Sequence, residues 1–243
     1  ECSSAASDVY KRQDQYGWAR ERSNNKKGPK PDNFFDLVRK GDLVTLSNSE
    51  SHQRIIQIPP AEAAFVSMNP KNGHIKTYIG GTNFFKTKFD RVRQSFPQTG
   101  SSFKPFIYAS AISRGYDASS LINDAPIIFE DENLEDYWRP ENYTKKFYGL
   151  TRLREALVQS INIVSIKLLR NIGVENVRND LQAFGFEKRR LPSDLSLALG
   201  SSSFSPIEMT RAFSILVNEG KAQEPVYITC LLYTSDAADE HSW

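Results

Sequence analysis

A single change of rhythm constrains this chain more than any other feature. Around the turn residues Lys71, Asn72 and Gly73, the flanks AAFVSMNP and HIKTYIGG alternate apolar and polar residues, whereas from Ser101 onward the patterned stretches repeat at helical spacing. Alternation on both sides of an Asn-Gly turn predicts a β-hairpin that starts at Glu62 and ends at Gly80 and Gly81. After it, Phe103, Phe106, Ile107, Ala111 and Ile112 predict a helix stopped by Gly115, and Ile163, Ile166 and Leu169 predict another closed by Gly173. Val174, Val177, Leu181 and Phe184 mark a third, closed by Gly185, and Thr151 is a candidate N-cap before RLREALVQ. The best delimited helix opens with Ser205, Pro206 and Glu208 (N-cap, proline at the first position, capping box) and ends at Gly220. A hairpin followed by a mostly helical region is an α+β pattern. Residues 116–149 lack periodicity, and their acidic tract EDENLED reads as solvated loop rather than metal site.

Upstream, SNNKKGPKPD is a polar loop, and DLVRKGDLVTL (36–46) and RIIQIPP (54–60) predict two short strands of a small β module. The 39% apolar and 12% aromatic content is enough for a real core. No apolar run approaches the length of a bilayer crossing, and no secretory leader pattern opens the sequence. The termini stand apart: SSAASDVYKRQ (3–13) and CLLYTSDAADE (230–240) can be encoded by DNA strands that are reverse complements of each other. Both look like translated sequencing-adapter scars, so the native stretch is expected to be a piece cut at both ends. Setting aside five acids (Glu1, Asp8, Asp236, Asp239, Glu240) and two bases (Lys11, Arg12) leaves a formal charge of +5. Neither that nor the whole-chain +2 argues for a nucleic-acid partner. The two cysteines, Cys2 and Cys230, lie in or beside the scars, so no disulfide framework or thiolate metal site is expected. His52, His74 and His241 are scattered, which gives a histidine triad or metal centre little support.

Two short motifs carry chemistry. Ser101 and Lys104 have Ser-x-x-Lys spacing at a helix start, one turn apart, so they share a face and the amine can reach the hydroxyl. A lysine can take the proton of a serine nucleophile if burial lowers its pKa, and the helix N-terminus favours a developing oxyanion. Alone, the pattern reads equally as an N-cap serine with a solvated lysine. Downstream, Ser160 and Asn162 form Ser-x-Asn between two helical stretches, the second element of the Ser-x-x-Lys enzymes. Taken singly, they read as capping residues at a helix break. Two motifs in this order at helix edges weigh more than either.

The tracts NPKNGHIKTYIGG, FDRVRQSFPQTGSSFKPFIYASAISRG, YWRPENY, GLTRLREALVQSINIVSIKLLRNIG and LALGSSSFSPIEMTRAFSILVNEG, in this order, resemble the transpeptidase domain of class A penicillin-binding proteins of the 1A type. The resemblance covers residues 61–229, and residues 14–60 resemble the end of the small oligonucleotide-binding-like β domain that precedes it. The expected organisation is therefore scar 1–13, β-domain remnant and linker 14–60, transpeptidase domain 61–229 and scar 230–243. The implied fold is a truncated β-lactamase/transpeptidase-like α+β fold.

The implied activity is a periplasmic D,D-transpeptidase that needs no cofactor or metal. Ser101 would attack the D-Ala-D-Ala bond of a peptidoglycan stem peptide with Lys104 as its aid. Ser160 would shuttle a proton to the leaving group and Asn162 would position the substrate. β-Lactam antibiotics would acylate the same serine. Trp138 and Asn142 match the family's Trp-x-Pro-x-Asn tract and are carried over as substrate-binding residues, a buried tryptophan in a structured loop being the other reading. A Lys-Thr-Gly motif, expected on the facing strand beyond Thr229, does not occur in the chain. A glycosyltransferase domain and a membrane anchor at the periplasmic face of the inner membrane are expected upstream in the parent. The isolated chain is accordingly expected to be poorly stable and weak in catalysis. The other readings are a penicillin-binding sensor without turnover and a serine β-lactamase.

Overall fold

In the computed structural model the described residues are 19, 22–23, 26–31, 36–39, 41–49, 52–56, 61–127 and 138–230. The acidic tract, residues 3–13 and residues 231–243 lie outside them, as does His241. The chain divides into two compact units, residues 1–62 and 63–243.

Among its described residues, unit one contains two antiparallel hairpins. Strands β1 (Arg22–Ser23) and β2 (Lys26–Lys27) form one, and β3 (Thr45–Ser49) and β4 (His52–Ile56) the other, with Thr45 opposite Ile56 and Ser49 opposite His52. The strand expected from residue 36 starts later. Asp42 accepts a hydrogen bond from the Arg39 amide at 2.7 Å and returns one from its own amide to the Arg39 carbonyl at 3.0 Å, with Gly41 at φ 104°. That turn, which an Asp beside a glycine closes readily, interrupts the run of strand formers.

Unit two begins with the expected hairpin, β5 (Phe65–Met68) paired antiparallel with β6 (Ile75–Ile79). Its turn is stapled by side chains: Asn69 Oδ1 accepts the Lys71 amide and Asn72 Oδ1 accepts the His74 amide, while Gly73 takes φ 73°. Gly73 is also crowded, since a Cβ there would lie 2.0 Å from the Glu224 carbonyl oxygen. A second hairpin follows, β7 (Leu121–Asp124) with β8 (Gly149–Arg152), where the sequence showed no period.

The α-helices among the described residues are α1 (Lys104–Ser113), α2 (Leu153–Val158), α3 (Asn162–Ile172), α4 (Val174–Asp180) and α5 (Pro206–Val217). The centre is α3, which buries Ile163, Val164, Ile166, Leu168, Leu169 and Ile172 and packs against α1, β7 and the 3-10 turn at 195–199. Each such side chain contributes about 1.5–3 kcal/mol on burial, which is what holds so short a helix in place. Glycines end the elements where the sequence puts them, Gly173 at φ 93° and Gly185 at φ 84°. Thr151 departs from its expected role as N-cap: it is a buried strand residue of β8, and the cap position is Arg152, which makes no side-chain capping bond. Among the described residues no helix is long and apolar enough to cross a membrane.

Candidate active site

The nucleophile candidate sits on a turn that a distant segment holds in place. Residues 100–103 form a single 3-10 turn leading into α1, with Gly100 at φ 56°. The segment at 200–203 lies alongside: the Gly100 amide donates to the Gly200 carbonyl and the Thr99 amide to the Ser202 carbonyl, both at 2.9 Å. The Thr99 hydroxyl reaches the same two carbonyl oxygens at 3.2 Å each. Beneath the turn, Phe103 packs against Phe106, Phe186 and Phe204 with ring centroids 5.0–6.1 Å away. Ser101 is left exposed on top of this apolar floor.

Lys104 turns the other way, into the protein, and is 1% exposed. Its Nζ donates to the Ser160 carbonyl at 2.8 Å, to Ser160 Oγ at 3.1 Å and to Asn162 Oδ1 at 2.7 Å. Three acceptors match the three hydrogens of an ammonium, and none of them is Ser101 Oγ, the partner suggested by the one-turn spacing. No carboxylate pairs with Lys104 among the described residues. Burial without a counter-charge lowers its pKa to about 8. Once neutral, the amine keeps two donors for the Ser160 carbonyl and Asn162 Oδ1 and turns a lone pair toward a hydroxyl.

Ser160 occupies the left-handed region at φ 54°. For a residue with a Cβ this costs about 1–2 kcal/mol. The loop is held by bonds from the Ser160 amide to the Leu157 carbonyl and from the Ile161 amide to the Ala156 carbonyl. Asn162 opens α3, and its Nδ2 donates to the Glu141 carbonyl at 2.9 Å. A cleft of about 510 Å³, lined by Tyr148, Leu150, Thr151, Arg152, Glu155, Gln159 and Ile161, borders this loop.

Asn142 stands behind the loop rather than in contact with solvent. It is 4% exposed, and its Oδ1 accepts the amides of Asn162 and Ile163 at 3.0 and 3.2 Å. Every polar atom of its side chain is engaged, because Nδ2 is bonded to Asp124 and the Lys146 carbonyl. That leaves none for a ligand, so the substrate contact expected of Asn142 gives way to capping α3, whose N-cap Ile161 has no side-chain acceptor. Trp138 is partly buried and packs against the core, in keeping with the reading as a buried tryptophan in a structured loop. Sequence reading missed Thr99, Gly200 and Asp124. The only signal for Gly200 was a glycine ending the LALG tract.

Fold and site together bring the two motifs into one place, with Ser101 on the turn that opens a helix and the buried Lys104 joined to the Ser-x-Asn loop. The penicillin-binding protein transpeptidase domain matches residues 63–241, and the chain belongs to that family. It is 42% identical over 217 residues to penicillin-binding protein 1A of Pseudomonas aeruginosa, an alignment covering 88% of this chain and 26% of that protein. The crystal structure of penicillin-binding protein 1A from Haemophilus influenzae superposes with a TM-score of 0.67 at 38% identity, covering 71% of this chain and 26% of that one. The PonA1 protein of Mycobacterium tuberculosis, solved in complex with penicillin V, superposes with a TM-score of 0.59 at 25% identity, covering 69% and 46% of the two chains. The chain thus spans about a quarter of the length of the curated relatives it matches.

Proposed function

We propose that the site forms a seryl acyl-enzyme with the D-Ala-D-Ala end of a peptidoglycan stem peptide and passes the acyl group to an amine on a neighbouring stem. The observation that carries this reading is Lys104, buried, unpaired with any described carboxylate and bonded to both residues of the Ser-x-Asn loop. With Nζ neutral, the amine takes the Ser101 Oγ proton as Oγ attacks the carbonyl carbon of the penultimate D-Ala. When the tetrahedral intermediate collapses, the C–N bond breaks and the proton passes through Ser160 Oγ to the departing D-Ala nitrogen. The acceptor amine then attacks the ester carbon and loses a proton to Lys104; the bond from that carbon to Ser101 Oγ breaks, and Oγ takes the proton back from Lys104. Substrate binding pulls the Ser101 hydroxyl and the lysine together, since catalytic hydrogen bonds are commonly long before substrate arrives. A β-lactam opens on the same Oγ, and the penicillin V complex of PonA1 is in keeping with that.

In the parent protein, residues 14–60 close a small oligonucleotide-binding-like module and residues 61–229 belong to the transpeptidase domain. A Lys-Thr-Gly strand supplies the facing wall. A membrane anchor and a glycosyltransferase domain place the parent at the periplasmic face of the inner membrane as a bifunctional synthase. The test is the fate of the acyl-enzyme in a chain extended through that strand. Slow hydrolysis with cross-linking of stem peptides is the expected result; fast hydrolysis identifies a β-lactamase, and slow hydrolysis without cross-linking a sensor.

A further inference from the structure

Asp124 ends β7, is 1% exposed, and forms no ion pair among the described residues. A carboxylate so placed is costly unless its lone pairs are filled. Here they are: Asn142 Nδ2 lies 2.9 Å from both carboxylate oxygens, and the Tyr148 amide donates to Oδ2 at 2.9 Å. From α3, the Lys167 Nζ bonds the carbonyls on either side, Asn123 at 2.8 Å and Ala125 at 3.0 Å, and so fixes the strand that carries Asp124 to the helix.

An ionised carboxylate can only accept hydrogen bonds, whereas an amide offers a donor face and an acceptor face. Asp124 and the Lys146 carbonyl, which also accepts from Nδ2 at 2.9 Å, therefore permit Asn142 one orientation, with Nδ2 toward the carboxylate and Oδ1 toward α3. In that orientation Oδ1 takes the first two amides of α3, those of Asn162 and Ile163. A charged acceptor also polarises the amide it binds, which strengthens the far bond. The neighbouring Glu141 carbonyl fixes the Asn162 side chain through Nδ2, so Asn162 Oδ1 has one place to be, 2.7 Å from Lys104 Nζ.

We infer that Asp124 is a positioning residue for the acylation machinery, acting through Asn142 to set where Asn162 Oδ1, and hence the amine of Lys104, stands. The inference rests on the transpeptidase reading for its purpose, but its test does not.

In the full chain with lysines labelled at 13Cε, the Lys104 resonance, assigned by its loss in Lys104→Met, reports that amine's titration without any turnover. Asp124→Asn turns an amide against two donors and loosens Asn142, whose Nδ2 keeps only the Lys146 carbonyl as an unaltered acceptor. Lys104 then loses an acceptor that favours its ammonium form, and its midpoint drops by about half a unit or more. Acylation by penicillin V slows about tenfold, the size expected when one positioned group is misplaced. In the Asn142→Ala background the link to α3 is already cut, so adding Asp124→Asn moves the midpoint no further. An effect of Asp124→Asn that vanishes in the Asn142→Ala background sustains the inference; should Asp124→Asn not fold, Asp124→Glu, which displaces the acceptor-only group, is read the same way. A folded Asp124→Asn with an unmoved Lys104, or an Asp124→Asn that still lowers the midpoint when residue 142 is already alanine, overturns it. Absence of penicillin V acylation in the chain extended through a Lys-Thr-Gly strand counts against the transpeptidase reading and leaves the titration result standing.

Discussion

A lysine with its charge buried has to earn its place, and Lys104 has no described carboxylate to offset the burial. Its lowered pKa of about 8 sets two pH dependences. On the mechanism proposed above, acylation at Ser101 needs the neutral amine, so its rate constant is expected to rise as pH passes through about 8, which stopped-flow acylation by penicillin V over pH 6–10 checks. For stability, the unfolded lysine, at its ordinary 10.5, binds more protons than the folded one between about 8 and 10.5. This group's contribution therefore becomes more favourable as pH rises across that window, by about 3 kcal/mol, and is flat on either side. Replacing the amine in Lys104→Ala removes the base, with an expected loss of about 10²- to 10⁴-fold in acylation rate. At this scale the sequence was informative but incomplete. Spacing singled out Ser101 and Lys104, order singled out Ser160 and Asn162, and the structure brings Lys104, Ser160 and Asn162 together. That Lys104 faces residues 56 and 58 positions away, rather than its neighbour one turn back, depends on how α1 packs on α3, which no local pattern encodes.

Among the elements, the nucleophile turn depends on Gly200, which is at φ 72°. A Cβ there would lie 1.9 Å from the Gly100 carbonyl oxygen, a backbone atom that cannot swing aside. Gly200→Ala is therefore expected to cost about 2–4 kcal/mol in a denaturant titration, and to slow acylation because the turn bearing Ser101 must shift. The α5 capping box gives a milder test: Ser205 Oγ accepts the Glu208 amide and Glu208 returns a bond to the Ser205 amide. Ser205→Ala is expected to cost about 1 kcal/mol. Helices were the legible elements, because their caps and glycine stops are local. The β7–β8 hairpin was not. Its inward positions are Ile122 and Asp124, and a buried aspartate breaks the apolar alternation by which a strand is read. Its partner strand also lies beyond a long connection, so no turn signal marks the pair.

At the scale of the molecule, the helical region and the β5–β6 hairpin differ in how well they are covered. Phe65 and Ile79, opposite each other across that hairpin, are 56% and 48% exposed, and beside β6 the one pairing from outside the hairpin among the described residues is the single bridge of His74 to Val226. Two-stranded hairpins are marginal without a further strand or a packed helix, and here α5 packs on β5. Extending the chain through a Lys-Thr-Gly strand is expected to raise the melting temperature and to speed acylation relative to the 243 residues alone. The overall class, one hairpin then helices, was legible because the switch in period is a property of the chain; which faces meet was not. The central claim, that Ser101 is the nucleophile, is tested most directly by mapping the penicillin V adduct by peptide mass spectrometry, on this chain and on the extended one. A single penicilloyl group on the peptide containing Ser101, absent from Ser101→Ala, is the predicted result. An adduct on another residue, or one that persists in Ser101→Ala, would contradict the account.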